Sequence, residues 1–253
     1  MTLGKFKIFV INLESSSDRL AEISQQCALL GLTFERVPAV RGSELSVSEK
    51  RRCYDPQLNH KRYYKQLNDG EIGCYLSHMA CWQYIVTEQL DFALILEDDA
   101  VLRSQLPEFI TAVAGLEFDW DYIKLSHGSR KKKLLQQVDI GEAISLGFCL
   151  KLPSTTTGQF VSFSGAQKLL QTALPISRPV DIDIQYWYEK NLQCLVARPF
   201  PVGNGDFGSE INKQSSTRTQ SGQRLKRIWH KCCYEFWLRV YRGRIGKLPK
   251  KLL

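Results

Sequence analysis

The run Phe92-Ala93-Leu94-Ile95-Leu96 is followed at once by Glu97-Asp98-Asp99. Five consecutive apolar residues without alternation predict a strand buried on both faces, as in the interior of an α/β sheet. Three carboxylates at its end repel one another and resist desolvation, so they must stay in water or meet a cation. In an open α/β sheet the carboxyl ends of the strands are where ligands bind. The cluster therefore predicts a site for Mn2+ or Mg2+, with Glu97, Asp98 and Asp99 as ligands and positions left for phosphate oxygens. A solvated acidic turn is the plainer alternative.

The rest of the chain repeats the strand-then-helix rhythm. Phe6 to Leu13 reads as a strand, and Ser16 or Ser17 starts a helix that Gly31 ends. Leu32 to Val40 reads as a strand interrupted by Pro38, and Ser46-Val47-Ser48-Glu49 has the form of a capping box. Residues 53 to 68 read as a polar, aromatic loop. Asn68 or Asp69 opens a long helix with Ile72, Tyr75, Leu76, Met79, Trp82 and Ile85 at helical spacing. Pro107 begins another helix, Trp120 to Leu125 reads as a strand, and residues 142 to 163 as two short strands. Ser164 is the expected cap of a helix to Leu174. Pro179-Val180-Asp181-Ile182-Asp183 leads into an aromatic helix, and Cys194 to Val202 is a late strand. Alternation of this kind predicts an α/β fold with a mostly parallel sheet flanked by helices.

Charge divides the chain in two. From Lys213 onward there are twelve Lys and Arg against one acid, Glu235, so this tail carries +11 and residues 1 to 212 carry −3. Leu225, Ile228, Trp229, Cys232, Cys233, Phe236, Trp237, Val240 and Tyr241 share a helical face there, with Arg and Lys mostly elsewhere. This is the pattern of an interfacial membrane helix over residues 222–245. Packing of that face on the body is the alternative. No nucleic-acid motif accompanies the charge. No stretch of about 18 apolar residues occurs, so no transmembrane helix is expected. The N-terminus lacks the pattern of a signal peptide. The eight cysteines form no Cys-x-x-Cys pair and read as reduced structural thiols of a cytoplasmic protein.

Several segments, in order, resemble glycosyltransferase family 25, the bacterial lipooligosaccharide sugar transferases related to procollagen galactosyltransferases. They are Phe9-Val10-Ile11-Asn12-Leu13 with Asp18-Arg19, Gly70-Glu71-Ile72-Gly73-Cys74-Tyr75-Leu76-Ser77-His78, and Leu94 to Ala100 with its acidic cluster. Phe118 to Leu125, Ser164 to Leu170 and Pro179-Val180-Asp181 follow. The resemblance spans roughly residues 5 to 212. It implies a GT-A fold over residues 1–212, with residues 213–253 as a basic linker and amphipathic tail. It implies a UDP-hexose donor, galactose before glucose, transferred with inversion to a lipooligosaccharide-type glycolipid acceptor. The carboxylate cluster becomes the metal site on the leaving-group side, Glu97 also touching the donor.

Inversion requires in-line attack, hence a base facing the sugar from the other side. Asp181 matches the family's Pro-Val-Asp position and is the first candidate, with Asp183 as the alternative; either could instead cap the following helix. Asn12 and Arg19 are candidate uridine or pyrophosphate contacts, Arg19 being equally readable as a surface helix charge. Glu71, His78 and His127 are further donor-binding candidates. The alternatives are a helix cap for Glu71, a core histidine for His78 and a loop histidine for His127. The basic run Arg130 to Lys133 is an anionic-acceptor candidate or a solvated loop. Asn204 to Glu210 is a candidate donor-closing loop. A non-catalytic binding or adhesion domain of the same fold is the competing class.

Overall fold

A computed structural model describes residues 4–127, 132–205 and 221–249. Its centre is an eight-stranded sheet in the order β2-β1-β3-β8-β5-β9-β7-β6. The strands are β1 (Phe6–Asn12), β2 (Glu35–Pro38), β3 (Phe92–Glu97), β5 (Tyr122–Lys124), β6 (Gln136–Asp139), β7 (Ser145–Phe148), β8 (Gly158–Ser162) and β9 (Cys194–Arg198). β1 runs parallel to both β2 and β3, and β5 runs parallel to β9. β8 runs antiparallel to β3 and β5, and β7 antiparallel to β9 and β6. Six strands thus share one direction and two oppose it, giving the α/β sheet that the sequence predicts.

Helices cover both faces, which is why β3 has no polar alternation. Ala93 and Ile95 enter one core cluster with Tyr75, Trp82, Leu169 and Ile184. These come from α4 (Asp69–Thr87), α6 (Phe163–Ala173) and α7 (Val180–Gln185). Phe92, Leu94 and Leu96 enter the opposite cluster with Ile23, Cys27, Phe109 and Val113, from α1 (Ser17–Leu29) and α5 (Leu106–Ala114). The period of two carries forward: Glu97 continues the side of Ala93 and Ile95, the side of α4.

Local chemistry sets the helix starts. Ser46 and Glu49 close a capping box at α2 (Val47–Cys53), and Asn68 and Glu71 close another at α4. Gly31, at φ +65°, follows α1 in the left-handed conformation suited to glycine. Two expectations change. Residues 53 to 68 are not all loop: Asp55 caps α3 (Pro56–Arg62), its Oδ1 accepting from the amides of Gln57 and Leu58, with Pro56 in the first turn. The cap of α6 is Ser162, whose hydroxyl accepts from Gly165 N at 3.1 Å, two residues before the expected Ser164. β6 and a two-stranded ribbon, β4 (Ala100–Leu102) with β10 (Val202–Asn204), were not visible in the pattern. The ribbon's strands are three residues each, too short to show a period.

The tail forms α8 (Ser221–Val240). Tyr234 and Leu238 are buried in the core beside α7, and the Tyr234 hydroxyl donates to the Gln185 carbonyl at 3.3 Å. Leu225, Ile228, Trp229, Phe236, Trp237 and Val240 remain exposed. The helix therefore packs through one stripe and shows a second apolar stripe to solvent. No helix among the described residues is long and apolar enough to cross a membrane. Arg130, Lys131, residues 206–210 of the expected closing loop and most of the linker lie outside the described residues.

Candidate active site

The carboxyl ends of β1 and β3 open onto a cleft of about 210 Å³ lined by Ile11, Leu13, Arg19, Arg41, Gly42, Ser43, Asp69, Gly70, Cys74 and the three acids, among others. Its floor depends on two glycines. A Cβ on Gly73 of α4 would lie 2.3 Å from the Val40 carbonyl oxygen, and one on Gly42 would lie 1.8 Å from that of Asp69. The chain entering the 3₁₀ turn Gly42–Glu44 can therefore lie directly on α4, where Ser77 Oγ accepts from Val40 N at 2.8 Å.

Asp98 is held by β1 and α1. Asn12 Nδ2 donates to its Oδ2 at 2.8 Å, and Arg19 pairs with its Oδ1 at 3.3 Å. Arg36 in turn donates to Asn12 Oδ1 at 3.0 Å, fixing the amide's orientation. Asn12 and Arg19, the candidate uridine or pyrophosphate contacts, here both hold Asp98.

Glu97 is gripped from α4 and β8. His78 Nε2 lies 3.0 Å from its Oε1, and the Thr156 hydroxyl donates to the same oxygen at 2.6 Å. Thr156 reaches it because β8 runs against β3, which puts the start of one strand beside the end of the other, Leu96 opposite Gly158. Gln159 Nε2 lies 2.9 Å from His78 Nδ1, and Tyr122 donates its hydroxyl to Gln159 Oε1. The chain of donors fixes the tautomer: Gln159 donates to Nδ1, so the ring proton sits on Nε2 and points at Glu97. Burial pushes the Glu97 carboxyl up, but the hydrogen bonds from His78 and Thr156 outweigh it and hold the group below the usual range.

Asp99 differs from its neighbours. Burial, then the charges of Glu97 and Asp98, push its carboxyl up to about 7. Its buried Oδ1 finds no hydrogen-bond partner among the described residues. A buried, crowded and unpartnered carboxylate oxygen is what a divalent cation would satisfy, so the donor set fits a metal. Cys74, His78 and Glu97 also bring ligand atoms within 4.8 Å of one another. Both ring nitrogens of His78 are already engaged, so this trio is better understood as the inner support of Glu97.

Asp181, at the start of α7, lies on the same side. The amides of Thr155 and Ile182 donate to it at 3.2 and 2.8 Å. Thr155 adopts φ +74°, an uncommon conformation for a β-branched residue, and that strained turn aims its N–H at the carboxylate. Burial raises the Asp181 pKa, the Thr155 amide and Lys124 oppose this, and Glu97 adds to it; the net shift is upward.

Lys124 escaped the sequence reading. It is 2% exposed, at the end of β5, directly opposite Gln159 in the β5–β8 pairing and on the Tyr122 side of the sheet. Burial brings its pKa down to about 8, and the charges of Asp181 and Glu97 hold it up. A lysine inside Tyr122-Ile123-Lys124-Leu125 was the available signal, since a charge in an apolar strand must have a reason. Thr156 and Gln159 gave no such signal.

Three candidates lie elsewhere. Glu71 completes the α4 capping box and pairs with Lys65 at 2.8 Å. Asp183 is buried between Arg178 (3.3 Å), Lys190 (2.7 Å) and the Tyr75 hydroxyl (2.7 Å). Burial raises its pKa, but Lys190 and Arg178 bring it below the usual range, the state of a structural anchor. The His127 ring packs on Phe200 at 4.7 Å, and its carbonyl accepts from Asn204. His78 is fully buried and meets the site only through Glu97.

The acidic cluster thus stands at the carboxyl ends of the sheet strands, where open α/β sheets bind their ligands. The family model described as glycosyltransferase family 25 (LPS biosynthesis protein) matches residues 5–184. The chain belongs to glycosyltransferase family 25. It is 31% identical over 193 residues to a glycosyltransferase 25 family member of Anopheles gambiae, covering 70% of this chain and 30% of that protein. It is 30% identical to procollagen galactosyltransferase 1-B of Xenopus laevis, covering 73% and 31%. It is 26% identical to the probable inactive glycosyltransferase 25 family member 3 of Bos taurus, covering 87% and 40%. The chain thus spans between about three and four tenths of the length of these relatives.

Proposed function

We propose that the chain transfers a hexose, galactose in the first instance, from a UDP-sugar to a lipooligosaccharide-type glycan acceptor with inversion at the anomeric carbon. The observation that carries this reading is the acidic cluster lining the cleft, in which the unpartnered Asp99 oxygen stands beside an anchored Glu97 and Asp98. Asp98 and Asp99, with Glu97 braced by His78, would hold Mn2+ or Mg2+. A divalent cation there offsets the negative charge that develops on the departing diphosphate. Arg19 adds a fixed positive charge beside Asp98 on that side.

Asp181 is the base of this reading. Its carboxyl is raised above the ordinary range by burial, which brings it closer to the proton affinity needed to take a hydroxyl proton near neutral pH. Lys124 keeps enough of it ionised to act. Asp183 is excluded from that role here, because a carboxylate bound by two cations and a tyrosine is a weak base.

The exposed stripe of α8, Leu225, Ile228, Trp229, Phe236 and Trp237, with Arg224 and Lys231 on the same helix, favours attachment of residues 222–245 to an anionic inner-membrane surface. The division of labour then falls at residue 212, with catalysis before it and attachment after it, on the cytoplasmic face.

UDP release from a panel of UDP-hexoses, with Mn2+ and a glycolipid acceptor, tests the reading. Turnover with UDP-glucose alone would move the donor to glucose. Absence of turnover with every donor and metal would favour a non-catalytic domain, as the name of the bovine relative suggests for that protein.

A further inference from the structure

A second concavity lies away from the acidic cleft, between α3 and the first turns of α8. It is a groove of about 460 Å³ lined by His60, Tyr64, Lys65, Gln66, Gln223 and Lys226, with Asn59 and Pro56 beneath. None of its lining residues is acidic. Lys65 is partnered by Glu71 at 2.8 Å, while the Arg227 guanidinium sits 5.5 Å above the Tyr64 ring. Their neighbour His230 feels these cations: burial lowers its pKa first, and Lys226, Arg178 and His60 lower it further. Like charges gathered around a concave site make a positive potential that favours an anion.

The other groups narrow the class of anion. Gln66 and Gln223 each offer a donor and an acceptor, the pair of functions that sugar hydroxyls require. Tyr64 presents an aromatic ring, tilted against Tyr63 at 4.6 Å, for the apolar face of a pyranose. Concavity, amides and an aromatic ring suit a saccharide better than a flat lipid surface.

We propose that the groove between α3 and α8 binds an anionic sugar of the acceptor glycan, with its phosphate or carboxylate on His60 and Lys226 and its ring against Tyr64. The word acceptor rests on the transferase reading; the binding itself does not, and it is measured without donor or turnover.

The test titrates the full chain with a hexose 6-phosphate, the unphosphorylated hexose and inorganic phosphate, followed by NMR shifts of the histidine rings. The phosphorylated hexose should bind roughly tenfold more tightly than either alternative, and Lys226→Glu should weaken it about tenfold or more, as for loss of one charge-assisted contact. His60→Gln should weaken it as well, and circular dichroism should show both variants folded. No saturable binding, equal binding of inorganic phosphate, or unchanged affinity in both variants would overturn the proposal. Displacement of the sugar phosphate by anionic phospholipid vesicles would assign the groove to the membrane and also overturn it. If binding holds while no UDP-hexose is turned over, the transferase reading fails and the saccharide site stands.

Discussion

His78 Nε2 lies 3.0 Å from Glu97 Oε1, joining the middle of α4 to the carboxyl end of β3. The bond places the helix of the family's longest matching segment behind the acidic cluster. Residues that orient a metal ligand typically change affinity 10–100-fold when lost. His78→Leu should therefore weaken Mn2+ binding by about one to two orders of magnitude, read by calorimetric titration. Since it also strands Gln159 Nε2, the melting temperature should fall.

Asp181→Asn should lower kcat by about 10²- to 10⁴-fold, the usual span for a general base, with UDP-hexose affinity unchanged. Asp183→Asn should act differently. It removes the partner of two buried cations and should reduce stability by about 3 kcal/mol or more, as for one member of a buried ion pair. A chemical-denaturation curve and a rate measurement on both variants separate the two roles.

Lys124 links activity to stability. Its pKa falls from 10.5 unfolded to about 8 folded, so the fold carries a penalty below pH 8 that disappears as pH rises from about 8 to 10.5. Lys124→Met should remove that penalty and stabilise the protein at pH 7, by on the order of 1–3 kcal/mol. The substitution also deletes a positive charge that lowers the Asp181 pKa, so the acidic limb of the kcat profile should move to higher pH. Denaturation at pH 7 and 10, with a pH–rate profile, checks both signs.

Gly73→Ala should cost about 3 kcal/mol or more. Its Cβ would meet backbone, the Val40 carbonyl oxygen and the Gly42 amide at 2.7 Å, which cannot rotate away. The melting temperature reads this directly.

Much of this architecture was legible because period and capping are local. The unbroken apolar run before Glu97 gave the two-sided burial of β3, and Asn68 with Glu71 gave the start of α4. What stayed hidden depends on strand order. Thr156 and Gln159 reach Glu97 and His78 because β8 is inserted antiparallel between β3 and β5, which no local pattern encodes. Lys124 opposes Gln159 for the same reason. The α3 helix was missed because Asp55-Pro56, a cap and first-turn pair, was outweighed by the polar and aromatic residues that follow. His78 and Glu71 take the core and capping places that stood as the alternatives to donor contact, since a helical residue's partner is set by what packs against it.

The cluster after β3 is expected to bind a metal that serves the departure of UDP. The most direct measurement is Mn2+-dependent release of UDP from UDP-galactose by wild type and by Asp99→Ala, with Mn2+ binding titrated on the same preparations. Wild type should show metal-dependent turnover. The variant should lose turnover by at least about 10²-fold, with weakened Mn2+ binding and an intact fold. Turnover that persists in Asp99→Ala, or that is unchanged by removing divalent metal from wild type, would contradict this expectation.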